Sequence, residues 1–182
     1  ECEGSILSGG DMTRQCSGAV LFKVAIVSDT HVNEDEDFSA SPYPANAEAN
    51  PRARYVFSQV NQIAPEFTIH LGDMVNPVPE LKSYGPAADR FHRLAAELTA
   101  PIHLVPGNHD IGDKPVKWMP AGMVNSEFIA LYHEHFGKDY YAIVSKGCHF
   151  VVVNAPLMNS GDPGEAEQAA WLKDYLARHQ GE

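Results

Sequence analysis

The sequence predicts an α/β domain built on a mixed, largely buried sheet, and three observations predict it. Short apolar runs alternate with segments of helical spacing, in the order β-α-β-α-β-α-β-β-α. The first three apolar runs each stop at a turn carrying Asp, His or Asn. Two further runs flank Lys146-Gly147, which reads as a hairpin turn.

The elements follow in order. Residues 21–28 (LFKVAIVS) read as a buried strand. A polar loop over 32–50 has acids at 34–37 and prolines at 42 and 44. Val56, Val60 and Ile63 recur at helical spacing over 52–64, and Pro51 suits a first turn. Residues 66–71 (EFTIHL) form a second strand, and 87–99 a helix with Ala87, Phe91, Leu94, Ala95 and Leu98 on one face. Residues 101–105 (PIHLV) form the third strand, followed by a loop rich in Gly and Pro. A helix over 126–136 is expected to be capped by Ser126. The hairpin comes next, and then a helix opened by Asp162-Pro163 and running to about 179. That helix has Glu165 and Glu167 early and Lys173 and Arg178 late, as its dipole favours.

The chain has 182 residues, 44% hydrophobic and 20% charged, which fits one domain with a proper core. A net charge of -11 gives no indication of nucleic-acid binding. No apolar run approaches the roughly 20 residues of a membrane span. Cys2, Cys16 and Cys148 are too few and too widely spaced for a disulfide framework or a zinc ribbon. Cys148 opens an apolar run and reads as a buried small hydrophobe, so a reducing, cytoplasmic setting is expected. Residues 1–20 are Gly/Ser-rich without a signal-peptide core and read as a disordered tail, with 21–182 as the folded unit. Met12 is a candidate natural start. The stop just after a helical run suggests a fragment of a longer protein.

The chemistry gathers at the strand ends: VAIVSDTH (24–31), FTIHLGDMVN (67–76) and IHLVPGNHD (102–110). Ligands of α/β sheets bind beyond the carboxyl ends of the strands. Neighbouring strands would therefore set Asp29, His31, Asp73, Asn108 and His109 along one rim, with Gly72 and Gly107 allowing close approach. Asp-Thr-His or Gly-Asp alone reads as an ordinary turn. Gly-Asn-His-Asp is more specific, because packing explains so little of it. Hard oxygen donors with imidazole and no thiolate suit Mn, Fe or Zn.

These motifs, in this order, resemble the first three signatures of the calcineurin-like metallophosphoesterases. They stand here as Asp29-Thr30-His31, Gly72-Asp73 and Gly107-Asn108-His109-Asp110. The resemblance covers about residues 22–179, and EQAAWLKDYL (167–176) is similar to the Gln-x-x-Trp-Leu helix of many members. It implies an α/β/β/α sandwich with mixed sheets, of which 21–182 would be the N-terminal portion, truncated at its C-terminus. It further implies two divalent or trivalent metal ions (Mn, Fe or Zn). Asp29 and His31 would bind the first, Asp73 would bridge both, and Asn108 would bind the second. His109 would be catalytic, stabilising the phosphoryl group and protonating the leaving oxygen. The implied reaction is hydrolysis of a phosphomonoester or phosphodiester substrate by metal-bound hydroxide.

Two departures bear on this. The serine/threonine phosphatase branch has Gly-Asp-x-x-Asp-Arg-Gly, whereas this chain has Asn76 where the carboxylate that orients the catalytic His is expected. That disfavours the branch and brings the chain nearer to the phosphodiesterase-like members and the calcineurin-like phosphoesterase domain-containing proteins. The family's later histidine ligands also have no match within 1–182, so they are expected beyond it. His70, His92, His103, His133, His135, His149 and His179 read as structural. The acids of 33–37 read as a solvated loop, Arg52 and Arg54 as helix surface, and Trp171 and Leu172 as core. Asn154 is a candidate pocket residue. The rival from another class is a non-catalytic, protein-binding scaffold on the same fold; composition does not give an oligomeric state.

Overall fold

The computed structural model describes residues 20–36, 39, 41, 43–114 and 120–181. The expected tail over 1–20 therefore lies, apart from Val20, outside the described residues, as do Cys2, Cys16 and Asp37.

Strands β1 (Val24–Val27), β2 (Phe67–His70) and β3 (Ile102–Leu104) form a parallel sheet in that order. The register sets Ile26 opposite Ile69 and Thr68 opposite Ile102. The middle strand is buried along its whole length, as a strand covered on both faces must be. Helices α1 (Ala49–Ile63), α2 (Tyr84–Ala95) and α4 (Ser126–Phe136) contribute to one core with Phe57, Tyr84, Phe91 and Tyr132 at its centre. Each phenylalanine so buried contributes roughly 1.5–3 kcal/mol. A second core joins Phe67 and Ile69 of β2 to Ile143 and Val152 of an antiparallel hairpin. The hairpin is β4 (Tyr141–Ser145) and β5 (Cys148–Val152). Lys146 and Gly147 both have positive φ, the backbone twist that a two-residue hairpin loop requires. A one-turn helix α3 (Asn108–Ile111) follows β3, and α5 (Pro163–Arg178) closes the chain.

The predicted order of elements holds, with shifted boundaries. A 3-10 turn (Pro44–Glu48) leads into α1, which therefore starts at Ala49 and carries Pro51 at its third position. Helix α2 starts at Tyr84, because that ring is buried and donates its hydroxyl proton to the Asp110 carbonyl. Helix α4 is capped by Asn125, not Ser126. The Asn125 Oδ1 accepts from the Glu127 and Phe128 amides, and Ser126 Oγ reaches Asp162 Oδ2 instead. Asp162 caps α5 by accepting from the Gly164 amide. Cys148 is half-buried rather than buried. Among the described residues no helix is long and apolar enough to cross a membrane.

Candidate metal centre

The rim is built by two loops laid against each other. The Asp29 amide donates to the Gly72 carbonyl and the His31 amide to the Asp73 carbonyl, both at 3.0 Å. Val32 donates to the Met74 carbonyl and Asn76 returns a bond to the Val32 carbonyl, both at 2.9 Å. This zipper bends the backbone sharply. Asp29, His31 and Asp73 all have positive φ (55°, 43° and 54°), a conformation uncommon outside glycine. Thr30 stays with the scaffold, its hydroxyl donating to the Met74 carbonyl and meeting His70 Nε2, each at 3.0 Å.

The third loop joins through two glycines. A Cβ on Gly72 would lie 2.5 Å from the Gly107 nitrogen, and one on Gly107 would lie 2.3 Å from Asp73 Oδ1. Only glycine at both positions lets these turns touch. Asp110 then clamps them. Its fully buried carboxylate accepts from the amides of Gly107, Asp73 and Met74 at 2.7–2.9 Å and of Val75 at 3.4 Å. Burial first and Asp73 second push its carboxyl up to about 8, against the pull of those donors, which favour the ionised form. The motif reading gives Asp110 no role, though its place as the last residue of Gly107–Asp110, the polar turn after the third strand, is the available signal.

On this frame the side chains converge. Asp73 Oδ1 accepts from the His109 amide at 3.0 Å, and Oδ2 faces His31 Nε2 at 3.6 Å. Asp29 Oδ1 stands 3.8 Å from the same nitrogen. The rings of His31 and His109 meet edge to face at 4.7 Å. Donor atoms of His31, Asp73 and His109 all lie within 4.8 Å of one another. Asp29 falls outside that group, on the exposed lip, and Asn108 is the half-buried first residue of α3, next to His109. Of the five predicted residues the structure thus gathers three tightly, sets Asp29 at bridging distance and places Asn108 by backbone adjacency.

The donor set fits a cation. Separations of 3.6 and 3.8 Å are too long for hydrogen bonds. They match two ligands across one ion, since bonds of about 2.0–2.2 Å put ligand atoms roughly 3–4 Å apart. Burial, and then the neighbouring His109, lower the pKa of His31, with Asp73 and Asp29 opposing. A neutral imidazole is the form that binds metal.

His109 is oriented from behind: its Nδ1 lies 2.6 Å from the Asn76 carbonyl oxygen. The backbone of Asn76 therefore takes the place of the carboxylate that the sequence lacks there. No side-chain pattern announces a carbonyl, so only the fold reveals it.

The other candidates resolve as scaffold. Glu36 pairs with Arg54 at 3.3 Å and Arg90 at 2.5 Å, so this acid of the loop is neutralised by arginines. Asn154 is buried and bonds to Asp139 and Gln168 rather than lining a pocket. Trp171 and Tyr175 are half-exposed and line a cleft of about 730 Å³ with Lys138, Tyr140 and Arg178. That cleft contains none of the rim residues; donor geometry, not cavity size, marks the rim as the candidate site.

Comparison with known proteins agrees with the motifs. The sequence model of the family described as calcineurin-like phosphoesterase matches residues 22–181. The serine/threonine-protein phosphatase CPPED1 of Bos taurus is 26% identical over 117 residues, covering 62% of this chain and 34% of that protein. The crystal structure of a dimetal phosphatase from Danio rerio superposes with a TM-score of 0.51 at 15% identity, over 85% of this chain and 52% of the other. That likeness shows the fold, a mixed α/β arrangement of parallel and antiparallel strands. The chain spans about a third of the length of the first relative and half of the second.

Proposed function

Because the chain belongs to the calcineurin-like phosphoesterase family, we propose that the protein hydrolyses a phosphate ester at a dinuclear metal centre on this rim. The observation that carries the reading is the convergence of His31, Asp73 and His109 donor atoms within 4.8 Å, on a backbone bent to hold them.

Asp29 and His31 would hold the first ion, Asp73 would be shared by both, and Asn108 would hold the second; Mn, Fe and Zn suit these donors. A bridging ligand between two cations is best an anion, which Asp73 is. Asn108 adds an oxygen without further negative charge near an incoming phosphate. Bound there, the ions would supply Lewis acidity toward the phosphoryl oxygens and would lower the pKa of a nearby water.

The chain's own residues do the rest. The His109 amide fixes Asp73 Oδ1, leaving Oδ2 turned toward His31. The Asn76 carbonyl occupies His109 Nδ1, leaving Nε2 as the free ring nitrogen. In the imidazolium form of His109 the Nδ1 proton stays hydrogen-bonded to the Asn76 carbonyl, while the Nε2 proton passes to the departing alkoxide or aryloxide oxygen, the ring ends neutral, and water supplies the new oxygen on phosphorus. The substrate is a phosphomonoester or phosphodiester.

The test is hydrolysis of p-nitrophenyl phosphate by the full-length protein with Mn²⁺ added. Metal-dependent turnover that disappears in Asp73→Ala is the expected result. Turnover unchanged by that substitution would overturn the assignment.

A further inference from the structure

Four asparagines form a relay that ends on the catalytic histidine. Asn50, buried in α1, accepts the Asn33 amide at 2.8 Å through its Oδ1 and donates Nδ2 to the Asp35 carbonyl at 2.8 Å. Asn33, also buried, donates Nδ2 to the Asn46 carbonyl at 2.6 Å. Asn46 Nδ2 donates to Asn76 Oδ1 at 3.1 Å and to Ser41 Oγ at 2.8 Å. Asn76 Nδ2 reaches Ser39 Oγ at 3.4 Å, and its carbonyl oxygen meets His109 Nδ1 at 2.6 Å.

We infer that Asn46 is a positioning residue for His109, acting through Asn76. This rests on the proposed phosphoesterase reading for its kinetic consequence, though not for its structural one. The reasoning starts from what a carbonyl can do. It only accepts hydrogen bonds, so the neutral His109 ring must carry its proton on Nδ1, leaving the Nε2 lone pair directed away from Asn76. A carboxylate partner would fix the ring by charge. A carbonyl fixes it only as well as its own peptide is fixed.

Two anchors hold Asn76, the residue whose carbonyl carries His109. Its amide is bound to the Val32 carbonyl at 2.9 Å, and its side chain is held by Asn46. The first anchor belongs to the loop zipper. The second ties the peptide to the segment before α1, at Pro44–Glu48, and through Asn33 and Asn50 to α1 itself. Removing the Asn46 side chain frees the Asn76 amide group and leaves the Ser39 contact as its remaining bond among the described residues. The carbonyl then has a wider range of orientations, and so does the ring it holds. Misplacement of about 1 Å in such a group costs up to roughly a hundredfold in rate.

The test combines a spectroscopic and a kinetic measurement on wild type, Asn46→Ala and Asn46→Asp. Imidazole ¹⁵N shifts of His109, taken at alkaline pH where histidines are neutral, report the tautomer directly. The expected result is the Nδ1–H form in wild type and a mixed population in Asn46→Ala. With p-nitrophenyl phosphate and Mn²⁺, kcat of Asn46→Ala falls roughly ten- to hundredfold while KM changes less than about twofold. Asn46→Asp restores most of both, because a carboxylate accepts from Asn76 Nδ2 once that amide flips, and from the Ser41 hydroxyl. An Nε2–H ring in wild type would overturn the inference, as would a tautomer and kcat unmoved in Asn46→Ala. If the wild type shows no turnover, the phosphoesterase reading fails, and the tautomer measurement alone decides the positioning claim.

Discussion

Two groups of acids, one in a loop and one on the rim, behave in opposite ways. In the loop at Glu34–Glu36, the Glu36 carboxylate is met by side chains of α1 and α2, Arg54 and Arg90, and Arg90 also donates to the Glu34 carbonyl. On the rim, Asp29 and Asp73 face His31, and among the described residues no lysine or arginine pairs with them. The loop carries more acids, yet the rim is the proposed cation site. The count of carboxylates does not distinguish them; what surrounds the carboxylates does. The rim holds Asp29, His31 and Asp73 at positive φ, at about 1 kcal/mol or more each. That strain is sustained by the zipper of backbone bonds and the Asp110 clamp. The loop shows no such strain at Glu34–Glu36.

The largest effect that would break this contrast is expected at the clamp. Asp110→Ala leaves several amide donors unpaired in the interior and should lower stability by about 3–5 kcal/mol, measured by urea unfolding. Gly107→Ala should cost about 3 kcal/mol or more, because its Cβ would collide with backbone and with Asp73 Oδ1, which cannot yield cheaply. Either variant losing less than about 1 kcal/mol would show that the rim does not depend on this close approach.

A pH effect of similar size comes from His70, behind the rim. Burial lowers its pKa to about 4, so between about 4 and 6.5 the unfolded chain binds the proton and the folded chain does not. Stability from this group is complete above about pH 6.5 and is lost as pH falls toward about 4, by about 3 kcal/mol in all. His70→Gln, whose amide can still pair with Thr30, should flatten that part of the unfolding profile. An unchanged slope would contradict it. The smallest effect sharpens the contrast from the other side. Glu36→Gln removes half-exposed ion pairs, so stability should change by less than about 1 kcal/mol and Mn²⁺ binding not at all.

Much of the fold was readable because its signals are local. Apolar runs gave β1 to β5, and Lys146-Gly147 gave the hairpin. The candidate site residues were readable because three motifs repeat one arrangement, a strand followed by a polar turn. What was hidden is what depends on contacts between segments distant in sequence. The role of Asp110 lies in amides of the 73–75 turn, and the orientation of His109 lies in a carbonyl at Asn76. Boundaries moved for the same reason. Tyr84 is drawn into α2 by a contact with Asp110, and Asn125 displaces Ser126 as the cap because Ser126 is engaged by Asp162. Trp171 fits an apolar helix face by spacing, but the packing of α5 leaves it half-exposed beside Tyr140.

The central claim is that the rim, and not the acidic loop, binds the metal. The most direct test is equilibrium dialysis of this chain against Mn²⁺, followed by elemental analysis, for wild type, Asp73→Ala and Glu36→Gln. The account predicts bound manganese in wild type, the same amount in Glu36→Gln, and loss in Asp73→Ala. Manganese retained by Asp73→Ala, or lost with Glu36→Gln, would contradict it.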